Sequence, residues 1–191
     1  QVNEKMTSAQ LFEVMCNMLA ELKDGHVNLS SGFDVGRNWS FYEDYPANYN
    51  DSIAKLYLGH NYQIASGLKY VIFDDNIGYV RCETFSTGVS DGNISYMLSN
   101  LASCTALIID VRDNGGGKMT KADTFASHFT NNSILTGYVS HKTGKAHDDF
   151  SAPKAMHLSP ASDGIRWQKP VVVLTNRAVY SAANDFVKSM R

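Results

Sequence analysis

Cysteine and proline are scarce in this chain, with three Cys and four Pro among 191 residues. An odd, small cysteine count argues against a disulfide framework. Cys16, Cys82 and Cys104 fall in apolar surroundings, so buried free thiols are expected rather than a redox pair, a metal site or a nucleophile. Charge of one sign is also lacking: 17 Lys and Arg oppose 19 Asp and Glu, a formal net charge of −2. That leaves no electrostatic footprint for nucleic acid or an anionic membrane. No apolar run approaches the ~18 residues of a membrane span, and no Lys/Arg-flanked apolar leader opens the sequence. What is present is 43% hydrophobic and 19% charged residues, enough for one substantial core or one core with a small subdomain.

Periodicity outlines the elements. Thr7-Ser-Ala-Gln10 is a capping-box pattern opening a helix to about Lys23, with Leu11, Met15, Met18, Leu19 and Leu22 on one face. An aromatic stretch follows, Trp39-Ser-Phe-Tyr-Glu-Asp-Tyr45 to Tyr49, in which packing roles outweigh a substrate wall. Short strands are expected at Ile53 to Leu58 and Tyr62 to Ala65, then longer ones at Leu68 to Phe73 and Ile77 to Thr84. A helix at Asp91 to Leu101, a strand at Ala106 to Val111, a helix from Met119 to Phe129 and a strand at Ile134 to Ser140 complete an alternating α/β pattern. Residues 141–168, punctuated by Gly144, Pro153, Pro160 and Gly164, suggest a long loop or irregular hairpin. His141, His147 and His157 lie there at spacings that match no zinc pattern. The pattern divides the chain into residues 1–67, a helix with a cap and strand subdomain, and residues 68–191, an α/β core.

Two segments carry chemistry. Ala106-Leu-Ile-Ile-Asp-Val-Arg-Asp-Asn-Gly-Gly-Gly117 is a buried-strand run that breaks into three glycines. Val171-Val-Val-Leu-Thr-Asn-Arg-Ala-Val-Tyr-Ser-Ala-Ala-Asn-Asp-Phe186 is a second such run, breaking at Ser181 into a helix. Backbone N–H groups converge on a developing negative charge only where no side chain blocks the approach. A serine at a helix start meets free N–H groups and the positive end of the dipole. These residues alone fit a plain helix cap and a tight turn as well as they fit a nucleophile facing an oxyanion loop. A third element, Leu22-Lys-Asp-Gly-His26-Val27, puts a histidine on a glycine turn, where it could be aimed as a general base.

In that order, with Ile77-Gly-Tyr-Val-Arg-Cys-Glu-Thr-Phe85 between the histidine and the glycines, the chain resembles the C-terminal processing (tail-specific) serine peptidases, closest in type to tricorn-core members without a PDZ insertion. The resemblance implies an α/β fold with the ββα-repeat core of the Clp protease and crotonase type, an N-terminal helix and a small mixed strand region. It implies Ser181 as nucleophile, His26 as base, and the backbone amides of Gly115, Gly116 and Ala182 as oxyanion donors. It further implies a peptide or protein substrate, no cofactor or metal, and residence in the cell envelope or outside the cell. Substrate preference and oligomeric state are not implied.

Within the family the base is either this histidine or a lysine beyond the serine. Lys188, the lysine that follows Ser181, would lie about 10 Å along a continuous helix at ~1.5 Å per residue, too far for direct proton transfer. The sequence departs from the family in having Asn184, followed by Asp185, where an acidic residue is usual three positions after the serine. It also stops at Arg191 inside a helical segment with no stop signal, so a fragment of a longer chain is expected. A phosphate loop is excluded because Met119 follows Lys118 where Ser or Thr is needed. The rival from another class is a catalytically silent ligand- or peptide-binding protein of the same fold.

Overall fold

The computed structural model describes residues 2–40 and 43–191. Phe41 and Tyr42 of the aromatic stretch lie outside the described residues. The chain forms two compact units, Gln1–Ala47 and Asn48–Arg191.

In the first unit the capping box forms as the sequence predicts. Thr7 Oγ1 accepts the Gln10 N–H at 3.3 Å while Gln10 Oε1 accepts the Thr7 N–H at 2.9 Å, satisfying two donors at the start of helix α1 (Ser8–Ala20). The helix is shorter than its apolar stripe. Leu22 and Lys23 donate to Leu19 and Ala20 at i−3, tightening the last turn, and Lys23 at φ 51° reverses the chain. Strands β1 (Asn28–Ser30) and β2 (Val35–Arg37) pair antiparallel. Asn38 Nδ2 ties this hairpin to the Ala20 carbonyl at 2.9 Å, and Phe12 meets the Phe33 ring edge-on at 5.4 Å.

The second unit starts differently from the sequence expectation. Residues 53–58 are not a strand: they lie in helix α2 (Asp51–Leu58). The Asn50 side chain accepts the Ile53 N–H at 3.0 Å, and Lys55 pairs with Asp51 at 2.6 Å one turn apart. Capping and the i,i+4 pair outweigh a short apolar run whose period alone is ambiguous. Residues 48–67, grouped by sequence with the N-terminal subdomain, belong to this unit because β3 (Gln63–Ala65) joins its sheet.

That sheet has the order β3-β4-β5-β6-β9, with β4 Leu68–Ile72, β5 Ile77–Cys82, β6 Ala106–Asp110 and β9 Val171–Leu174. β3, β4 and β5 run antiparallel, whereas β5, β6 and β9 are parallel. The fold is the expected mixed α/β architecture. Helix α3 (Asp91–Asn100) connects β5 to β6, α4 (Met119–Ser127) follows β6, and α5 (Ala182–Ser189) follows β9. Parallel strands flanked by such helices are buried on both faces, which is why residues 78–82 of β5 are all buried.

The core gathers Leu68, Val80, Ile94, Met97, Leu98, Leu107 and Ile109 with Phe85, Phe125 and Phe186. Phe186 of α5 stacks on Phe125 of α4 at 5.1 Å and packs on Phe85 at 5.4 Å, locking the helix that begins after Ser181 onto the sheet. The long loop or irregular hairpin expected over 141–168 contains strand β8 (Lys154–Leu158), which pairs antiparallel with β7 (Ile134–Val139), with a register shift between Leu135 and Gly137, as a separate hairpin. Cys82 and Cys104 are buried free thiols, and burial pushes the Cys82 thiol up to about 12; Cys16 is half-buried and also unbridged. Of the described aromatic residues in that stretch, Tyr45 is 57% exposed and Trp39 and Tyr49 are half-buried. Among the described residues no helix is long and apolar enough to cross a membrane.

Candidate active site

Because β5, β6 and β9 are parallel, their C-terminal ends share one edge of the sheet, where ligand sites of open α/β sheets form. Both chemistry-bearing segments leave the sheet at this edge. The turn after β6 carries Gly115, Gly116 and Gly117; the turn after β9 ends at Ser181, and hydrogen bonds hold the two together. Val111 N–H donates to Leu174 O at 3.0 Å, and Tyr180 N–H donates to Asn114 O at 3.1 Å. Asp113 and Asn176 pair reciprocally, with the Asp113 N–H reaching Asn176 Oδ1 at 3.0 Å and Asn176 Nδ2 reaching Asp113 Oδ1 at 2.6 Å.

Two glycines of the turn are required by space. Gly116 has φ +92°, and a Cβ there would lie 2.6 Å from Tyr180 O, 2.8 Å from Ser181 Cβ and 2.9 Å from Ala182 N. Gly117 has φ +139°, and a Cβ there would meet Phe85 C and Ser86 N at 2.3 Å. Both values lie where L side chains rarely go. A Cβ on Gly115 would meet nothing within 4 Å, so its backbone faces open space.

Ser181 occupies the N-cap position of α5 without capping it: its side chain makes no hydrogen bond to the helix N–H groups. Its backbone has φ 54° and ψ −131°, outside the left-handed basin near ψ +47° that non-glycine residues tolerate. Such strain costs about 1–3 kcal/mol and persists only where surrounding structure imposes it. Here the imposing bonds are Tyr180 N–H to Asn114 O on one side, and Asn184 and Asp185 N–H to Ser181 O at 2.8 and 3.3 Å on the other. An ordinary cap takes extended backbone and accepts an N–H from its own helix, as Thr7 and Ser90 do.

The amides of the turn are not equivalent. The Gly116 N–H is committed to Asn114 Oδ1 at 2.9 Å. Among the described residues no partner takes the N–H of Gly115 or of Ala182. Those two donors flank the Gly116–Ser181 contact.

His26 sits in the first unit on the turn closed by Val27 N–H to Asp24 O at 3.1 Å. Asp24 Oδ1 accepts the His26 N–H at 2.9 Å and lies 3.1 Å from His26 Nδ1. When that ring nitrogen carries the proton, the carboxylate orients the imidazole and leaves Nε2 as its basic atom. Asp24 belongs to the Asp-Gly-His turn, and the turn itself brings its carboxylate to the ring.

The sequence reading missed a buried charge cluster beneath the turn. Arg81 of β5 and Asp110 of β6 are register partners. Asp110 is fully buried and accepts Tyr79 Oη at 2.6 Å, Arg112 Nη2 at 2.6 Å and Arg112 Nε at 2.9 Å. Burial works to raise the Asp110 carboxyl, but the Arg112 and Tyr79 hydrogen bonds outweigh it and hold the group below its ordinary value. Burial, reinforced by that carboxylate, raises the Tyr79 hydroxyl. Arg81 and Arg112 lie over the Tyr49 ring at 4.1 and 5.1 Å. The cluster fixes the strand ends from which the glycine turn departs. In sequence it shows only as charges inside apolar runs.

Lys188 and Asp185 line a cavity of about 130 Å³ with Asp123, Met119 and Thr136. Burial, and then the neighbouring Asp185, raises the Asp123 carboxyl. Among the described residues no group of three or more His, Cys, Asp or Glu is placed to hold a metal ion.

Comparison with known proteins identifies the family. Residues 76–191 match the profile of peptidase family S41. The structure resembles a crystal structure of a "putative peptidase" from Parabacteroides merdae with a TM-score of 0.92 and 52% identity, covering 100% of this chain and 60% of that one. A photosystem II D1 C-terminal processing protease is more distant, at 21% identity and a TM-score of 0.46 over 60% of this chain and 27% of that one. With the profile spanning more than half its length and a 52% identical relative covering all of it, the chain belongs to peptidase family S41.

Proposed function

We propose that this chain carries the nucleophile and oxyanion hole of a serine endopeptidase that hydrolyses peptides or unfolded proteins through an acyl-enzyme on Ser181. Family membership supports a peptidase-type function. The observation that carries the finer reading is the Ser181 backbone, held at φ 54° and ψ −131° against the Gly116 turn while its side chain caps no helix N–H. A serine kept only as a cap has no reason to hold a strained backbone.

Ser181 Oγ attacks the scissile carbonyl carbon as its proton passes to the base. The base is assigned to His26, on the family resemblance and on its pairing with Asp24. The negative charge that forms on the carbonyl oxygen is received by the N–H groups of Gly115 and Ala182, since the Gly116 N–H is bound to Asn114. Each such donor contributes about 3 kcal/mol to the transition state. The C–N bond breaks with proton return to the leaving amine, and water then releases the acyl group.

A fluorophosphonate probe tests the nucleophile. The expected adduct maps to the tryptic peptide spanning residues 178–188, on Ser181. An adduct elsewhere would place the nucleophile at another residue, and none on the folded full-length protein favours the silent binding protein.

A further inference from the structure

We propose that Asn114 is a positioning residue that sets the oxyanion hole against the nucleophile. This inference rests on the reading of Ser181 and the glycine turn as a peptidase centre.

Asn114 is fully buried, and both ends of its amide are used. Its Nδ2 donates to Cys82 O at 3.1 Å and its Oδ1 accepts the Gly116 N–H at 2.9 Å. One partner is acceptor only and the other donor only, so the orientation of the amide is settled. Its main chain is engaged as well: the N–H donates to Val111 O at 3.0 Å and the carbonyl accepts the Tyr180 N–H at 3.1 Å. A single residue thus ties together the end of β5, the glycine turn and the residue before Ser181.

The bond to Gly116 carries the functional consequence. Gly116 is also gripped through its carbonyl, by Phe85 N–H at 2.8 Å and Thr84 Oγ1 at 3.2 Å. The Gly116 N–H and carbonyl belong to the peptides before and after the residue, so both planes are held, and the Gly115 N–H shares its peptide plane with the Asn114 carbonyl that the Tyr180 N–H holds. Without Oδ1, a glycine at φ +92° could turn its N–H toward the open side. Two donors would then compete for one oxyanion in poor geometry. Misplacement of this kind costs about 10²-fold in rate, comparable to losing a donor.

The test compares Asn114→Leu, which removes both amide functions, with Asn114→Asp, which keeps an oxygen for the Gly116 N–H. Both are made in the full-length protein, and kcat and KM are corrected for the folded fraction from thermal unfolding. The expected result is a kcat about 10²-fold lower in Asn114→Leu with KM within about two-fold of wild type. Asn114→Asp should recover at least about ten-fold of that loss, although it places a carboxyl in a buried site. Equal kcat deficits in the two variants, or an Asn114→Leu enzyme with wild-type kcat per folded molecule, would overturn the proposal. Amide hydrogen exchange at Gly116 reads the same bond without turnover. Faster exchange in Asn114→Leu, with the β5 and β6 amides unchanged, is expected; unchanged Gly116 exchange contradicts the proposal even where the wild type cleaves nothing, an outcome that would instead remove the peptidase reading.

Discussion

Gly116 and Ser181 are in direct backbone-to-side-chain contact: a Cβ on Gly116 would stand 2.8 Å from Ser181 Cβ. The approach is possible only because residue 116 has no side chain and a positive φ. Gly116→Ala should therefore destabilise the protein by about 1–3 kcal/mol through overpacking and also lower kcat. Chemical denaturation with parallel kinetics checks this. An alanine variant of wild-type stability and activity would mean that the contact is not maintained in solution.

Ser181 strain can be tested without any substrate. If φ 54° and ψ −131° are imposed on the serine, glycine should relieve that strain and alanine should not. Ser181→Gly is expected to be more stable than Ser181→Ala by about 1 kcal/mol. The reverse order would contradict the imposed backbone, since both a strained φ and an ordinary cap position favour glycine over alanine.

The Asp110 cluster predicts a pH dependence. The folded-state pKa of Asp110 is depressed, so its contribution is present above the unfolded carboxylate value near ~3.9 and is lost as pH falls through the folded value. Asp110→Ala leaves Arg81 buried beside no carboxylate and should cost about 3–5 kcal/mol at neutral pH. Urea unfolding of wild type and variant should converge as pH drops below about 4. A pH-independent gap between them would show that Asp110 acts by packing rather than charge.

His26→Ala should lower kcat/KM by about 10²–10⁴-fold if the imidazole is the general base. Asp24→Asn should produce a smaller loss, because the side chain that orients Nδ1 changes from a carboxylate to an amide. Unchanged kinetics in His26→Ala would place the base elsewhere.

Much of this architecture was legible in sequence because its signals are local. The Thr7 and Gln10 capping box, the β-branched runs at Ala106 and Val171 and the glycine triplet each act within a few residues. Residues 53–58 form a helix where the pattern suggests a strand because a short apolar run fits either period, and the Asn50 cap decides between them. The boundary near residue 67 could not be placed because β3 carries little pattern of its own and joins the sheet by pairing with β4. Ser181 was visible as the opening of a helix, but its strain was not, since φ and ψ there are imposed by distant partners such as Asn114. Asn114 itself looks like an ordinary turn residue in Asp-Asn-Gly. Its importance comes from contacts with Cys82 and Tyr180, far away in the chain.

Cleavage of an unfolded protein substrate by the full-length protein, wild type beside Ser181→Ala, tests the central claim most directly. The account predicts peptide-bond hydrolysis by the wild type and a fall of about 10⁶-fold, to background, in the variant, with the fold retained. A Ser181→Ala protein that still cleaves, or a wild type that cleaves none of a diverse substrate panel, would contradict it.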